Sequence, residues 1–101
     1  MIHLTEERML EIVNVDGMQI EHFNWKPPSV QIAAIMQNPW AIQHIYVPSE
    51  EMQLLAVRLK PQTIFKIVLP TKKVVDQYNE WVRTKKVVLA QFLETSAYFL
   101  G

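Results

Sequence analysis

The chain contains no cysteine and only two glycines, Gly17 and Gly101, among its 101 residues. Without cysteine there is no disulfide framework, no thiol nucleophile and no cysteine-held zinc. With glycine so scarce, neither a phosphate-cradling loop nor the strained elbow that presents a nucleophilic serine can be assembled. No window approaches the run of about 18 apolar residues that a membrane span requires. The opening stretch from Met1 to Arg8 is charged where a secretory signal needs an apolar centre, so a cytoplasmic protein is expected. Net charge is missing too, with 10 cationic and 10 anionic side chains, whereas nucleic-acid binders usually carry a basic excess.

Half of the residues are apolar and a fifth are charged, which suits one globular domain spanning residues 1–101. The charges are unevenly placed. Residues 1–51 hold two cations against seven anions, and residues 52–101 hold eight against three. Such polarity steers a charged partner, or lets an acidic first unit meet the basic end of a second copy.

Shifting the chain against itself by 22 residues aligns three ungapped units, 4–25, 26–47 and 48–69. Six columns are apolar in all three: Leu10/Ile32/Leu54, Ile12/Ala34/Ala56, Val13/Ile35/Val57, Ile20/Ile42/Ile64, Phe23/Ile45/Ile67 and Trp25/Val47/Leu69. A turn signal recurs at Asp16-Gly17, Asn38-Pro39 and Lys60-Pro61. Thr5 and Ser49 are N-caps followed by glutamate pairs that suit the positive end of a helix dipole. Asn38 caps a second helix whose first position is Pro39, and there Ile42 and Ile45, three apart, face inward. Each unit therefore reads as two short helices, too small to bury an apolar stripe alone, and stacking would merge the six columns into one core.

The match fails beyond residue 70. Residues 71–83 read as an amphipathic helix carrying Val74, Val75, Tyr78, Trp81 and Val82 on one face. Thr84 is placed to cap a final helix with Val87, Val88, Leu89, Phe92, Leu93 and Phe99. The expected fold is all-α, a short α-solenoid of three two-helix repeats closed by a C-terminal helical pair over 70–101. The lack of an L-x-x-L-x-L strand and an asparagine ladder sets aside a leucine-rich repeat.

Ser49-Glu50-Glu51, Leu54, Ala56-Val57, Asn38-Pro39 and Ala41-Ile42-Gln43-His44-Ile45 follow the pattern P-S-E-E-x-Q-L-x-A-V-x-x-N-P-x-A-I-Q-x-I. In this the chain resembles the short tandem helical repeats of unknown function found in bacteriophage and bacterial hypothetical proteins. The match covers residues 26–69 well and 4–25 more loosely. The resemblance implies a phage or bacterial origin and a recognition role, and it brings no catalytic residues.

The residues themselves offer little chemistry. His22 and His44 share a column with Lys66, but equivalent residues of stacked helices lie about 8–10 Å apart, too far to share a metal ion. The carboxylate pairs Glu6-Glu7 and Glu50-Glu51 sit where helix N-termini favour negative charge. No enzyme activity, cofactor or metal site is expected. Binding has better candidates. Trp40, aligned with Met18 and Gln62, stands in the first turn of a second helix, and Tyr46 follows that helix. Met18, Trp40 and Tyr46 are the candidate protein-contact residues, whereas Trp25 and Trp81 fall in apolar columns and are assigned to the core. Lys60, Lys66, Lys72, Lys73, Arg83, Lys85 and Lys86 form a basic cluster, in which Lys72-Lys73 oppose the dipole of the helix they open. The favoured function is a non-catalytic protein-interaction module, such as a small phage accessory protein that binds or inhibits a host factor. The alternative is nucleic-acid binding through the basic cluster.

Overall fold

The computed structural model describes the backbone of residues 4–100 and the side chains of residues 4–86. Every regular element among the described residues is helical. Four α-helices, α1 (Glu6–Val15), α2 (Pro28–Gln37), α3 (Glu50–Leu59) and α4 (Lys72–Leu100), alternate with three 3₁₀-helices, η1 (Gly17–His22), η2 (Pro39–His44) and η3 (Pro61–Lys66). All three α–η pairs begin 22 residues apart, and α4 starts in the same register.

Local chemistry explains each boundary. The hydroxyls of Thr5, Ser49 and Thr71 accept hydrogen bonds from the N–H groups of Arg8, Met52 and Val74, which satisfies one orphan donor of α1, α3 and α4. Each of the first three α-helices ends at a residue with nearly the same extended backbone. Asp16, Asn38 and Lys60 have φ of −149°, −150° and −149°. Pro39 and Pro61 impose that geometry on the residues before them, since proline disfavours a helical neighbour on its N-terminal side. In the first unit Asp16 replaces this constraint with its own carboxylate, which accepts from the Met18 N–H. The second element is 3₁₀ rather than α, and the spacing of its apolar residues shows why. Ile20 and Phe23, Ile42 and Ile45, Ile64 and Ile67 are each three apart, and with three residues per turn each pair lies on one face.

The core follows four of the six columns. The Val13/Ile35/Val57 and Phe23/Ile45/Ile67 columns are buried throughout, and Ile20, Ile42 and Ile64 are 0%, 1% and 8% exposed. In the Ile12/Ala34/Ala56 column the alanines are fully buried and Ile12 is packed on the core edge. Fully burying one such aliphatic side chain contributes about 1.5–3 kcal/mol. The Leu10/Ile32/Leu54 column is only a rim: Leu10 and Leu54 are half-buried and Ile32 is exposed. The sixth column, Trp25/Val47/Leu69, is not core at all; all three side chains stand in water. These residues lie in bends on the connectors that follow the 3₁₀-helices, and none of the described residues covers them.

Among the described residues, packing runs only between neighbouring elements. Helix α1 packs on α2, α2 on α3 and α3 on α4, while η1 touches η2 and η2 touches η3. Glutamines clip the units together. Gln37 accepts from the Gly17 N–H at 2.6 Å and donates to the Val15 carbonyl at 3.2 Å, bridging the α1–η1 junction. Buried Gln53 donates to the Pro48 carbonyl and accepts from the Thr71 N–H. Gln77 donates to the Leu54 carbonyl. At Gly17 the neighbouring unit comes so close that a Cβ would sit 2.3 Å from the Ala34 carbonyl oxygen.

The expected C-terminal pair of helices is a single one. Helix α4 runs unbroken from Lys72 to Leu100, and the Thr84 hydroxyl donates back to the Glu80 carbonyl instead of capping a new start. The cause lies in register. Val82-Arg83 occupies the place of Asn38-Pro39, so neither a capping amide nor a proline breaks the helix. The side chains of Val87, Val88, Leu89, Phe92, Leu93 and Phe99 lie outside the described residues. At 29 residues α4 is about 43 Å long, and the molecule measures 69 × 28 × 15 Å.

The first and last α-helices each replace a buried column with a polar residue. Arg8 occupies the column of Val30, Met52 and Val74, which are all buried, but it is exposed and ion-paired with Glu11. In α4, Asn79 replaces the buried Val13/Ile35/Val57 column and is exposed.

Candidate protein-docking ridge

Five of the exposed apolar side chains lie where the units join, while Val15, Ile32, Met36, Leu59 and Phe65 are exposed on the helices. Tyr46 is 96% exposed, Val68 86%, Leu69 83%, Val47 78% and Trp25 62%. All five lie on connectors whose first residue is extended, with φ and ψ of −92° and 126° at Phe23, −103° and 116° at Ile45, and −97° and 120° at Ile67, and which then bend over the next two residues. The inward residue of each connector is fixed by the core, and the prolines Pro27, Pro48 and Pro70 keep the chain from coiling into the next helix early. The pair after each inward residue, Asn24-Trp25, Tyr46-Val47 and Val68-Leu69, is thereby held outward. Tyr46 and Val47 from one connector and Val68 and Leu69 from the next line a common groove of about 320 Å³, floored by Ile42, Ile45, Ile67 and Gln53. Lys66 is the only charged residue on its walls.

Of the three expected contact residues, only Tyr46 belongs to this ridge. Trp40 is half-buried, with the Lys60 ammonium 5.9 Å from its ring centre. Met18 is half-buried and packed against the core. Trp25, assigned to the core from its column, is on the ridge. Trp81, assigned likewise, is half-buried in an aromatic row in which Phe65 meets Tyr78 edge-on at 5.5 Å and Tyr78 meets Trp81 at 5.8 Å. Val47, Val68 and Leu69 were readable as surface from one signal: they lie in the pair of residues between the last 3₁₀ residue's inward neighbour and the following proline.

The basic cluster is dispersed and partly engaged. Lys72 pairs with Asp76 at 2.8 Å, and hydrogen bonding to that carboxylate, with its charge, raises the Lys72 pKa above its ordinary value. Arg83 pairs with Glu80. The Lys85 ammonium sits 4.8 Å from the Trp81 ring centre, a cation–π contact. Lys66, Lys73 and Lys86 are exposed and make no ion pair among the described residues.

The histidines sit on a cross-unit contact that spacing did not reveal. Glu21 places one carboxylate oxygen 3.2 Å from His22 Nε2 and the other 3.3 Å from His44 Nε2. His44 Nε2 is buried and its approach to Glu21 lacks hydrogen-bond geometry. Among the described residues no group of three or more His, Cys, Asp or Glu side chains is arranged to hold a metal ion, and no helix is long and apolar enough to cross a membrane. Comparison with protein-family models, curated proteins and solved structures finds no match to this chain.

Proposed function

We propose that this protein is a short α-solenoid that works without catalysis, by docking another protein along the ridge formed by its connectors. One observation carries the reading: a column that is apolar in all three units, Trp25/Val47/Leu69, is left in water in all three. Exposed apolar residues scattered singly are ordinary, but a row repeated at every unit, joined by Tyr46 and Val68, marks an interaction surface. Nearest-neighbour packing and polar outer faces at both ends support the solenoid reading, since such arrays need capped ends to stay soluble. The polar ends also direct binding to the side of the row rather than to its tips. The resemblance of residues 26–69 to phage and bacterial repeats favours a bacterial host factor as the partner. Nucleic-acid binding is less favoured, because Lys60, Lys72, Arg83 and Lys85 already have partners within the chain.

The test is tagged purification from bacterial cells of the native chain and of a variant carrying Trp25→Ser, Val47→Ser and Leu69→Ser. A host protein recovered in near-equal amount with the native chain and lost with the variant, while the variant's melting temperature is retained, supports the reading. Recovery of the same proteins by both chains overturns it.

A further inference from the structure

We propose that the groove between the second and third connectors receives one large apolar side chain of a partner peptide that carries a carboxylate beside it. The inference rests on the docking reading above and names the chemistry of what docks. Its volume of about 320 Å³ is at the lower end of pockets that enclose small ligands, which start at about 300 Å³, so the occupant is one large side chain rather than a whole ligand. The walls set its character. Tyr46, Val47, Val68 and Leu69 supply apolar surface. The two side-chain amides of the lining are engaged within the chain: the Gln53 amide bonds the Pro48 carbonyl and the Thr71 N–H, and the Gln43 amide bonds the Trp40 carbonyl. The charged group of the lining is Lys66, exposed at the wall and without an ion pair among the described residues. The groove thus presents one unneutralised cation beside apolar walls, and its complement is an apolar side chain next to an anion. A peptide fits better than a lipid surface because the feature is a concavity between two connectors. The N–H groups of Tyr46, Val47, Val68 and Leu69 also donate to no other group of the chain among the described residues, so they can meet peptide carbonyls.

The experiment is fluorescence anisotropy with a labelled peptide of alternating Glu with Leu and Phe, titrated with the full chain. A second peptide has Gln in place of every Glu, and a third arm uses phosphatidylcholine vesicles. The acidic peptide should bind, and Val68→Glu should weaken it more than tenfold by placing a like charge on the wall. Lys66→Gln should weaken it roughly two- to fivefold, as expected for an exposed ion pair, and should leave the Gln peptide unaffected. Val15→Glu, at an exposed apolar residue of α1, is the control and should change nothing. Equal binding of the Glu and Gln peptides overturns the anionic assignment, and binding insensitive to Val68→Glu overturns the groove. Vesicle binding lost with Val68→Glu overturns the peptide in favour of a lipid surface. If neither peptide binds while ridge-dependent recovery of a host protein stands, this inference falls and the docking reading does not.

Discussion

Replacing Gly17 with alanine separates two effects of opposite sign. Gly17 has no positive φ, so alanine suits its backbone. By itself the change should stabilise the fold by about 0.4–1 kcal/mol, because it restricts the unfolded chain. Contact with the second unit opposes this. The added Cβ would meet the Ala34 carbonyl oxygen at 2.3 Å, with the Ala34 carbonyl carbon at 3.1 Å and Gln37 Oε1 at 3.2 Å. Two of these atoms are backbone, so α1–η1 and α2 must part by about 1 Å to restore ordinary contact. Overpacking of this kind costs typically 1–3 kcal/mol, and the move also stretches the bond from the Gly17 N–H to Gln37 Oε1. The expected net loss is about 1–2 kcal/mol, which at about 4–8 °C per kcal/mol for a domain of this size lowers Tm by roughly 4–15 °C. Circular dichroism at 222 nm reads it directly. An unchanged or higher Tm would refute the close approach of the first two units.

Further outcomes follow from the same packing. Ile42→Ala should cost about 2–5 kcal/mol in denaturant unfolding, whereas Val47→Ser, five residues on, should stay within about 0.5 kcal/mol; equal losses would contradict the division between core and ridge. Gln53→Leu leaves the Pro48 carbonyl and Thr71 N–H without their partner and should cost about 1–3 kcal/mol by the same measurement. Ser49→Ala removes the cap of α3 and should cost about 1 kcal/mol. Inserting Asn-Pro for Val82-Arg83 should break α4 at the place where the other units turn, read as a fall in helical ellipticity; unchanged ellipticity would show that register does not decide where the helix ends.

Much of the fold was legible because period and punctuation agree. The 22-residue shift located every α–η boundary, since Asp16, Asn38 and Lys60 end their helices with one backbone geometry. The C-terminal pair was misread because Thr84 resembles a cap by type. In a helix without a proline or a capping amide at the break, its hydroxyl simply bonds the preceding turn. The connector ridge differs from expectation for another reason. Apolar identity at Trp25, Val47 and Leu69 suggests inwardness, but a column reports only that a position is repeated, and its direction is set by the backbone carrying it. On a helix the column faces a neighbour; in the bend of a connector two residues past the core contact it faces water. Of the glutamine clips, Gln53 left a fainter signal: it occupies the column of buried Met9, a polar residue where the first unit is apolar.

The central claim is that the connector ridge is covered in the cell by another protein. A photo-reactive amino acid in place of Val47, irradiated in bacterial cells and compared with the same group in place of Asn14 on the exposed side of α1, tests it most directly. The account predicts a discrete cross-linked product from position 47 and none from position 14. No product at 47, or equal products at both positions, would contradict it.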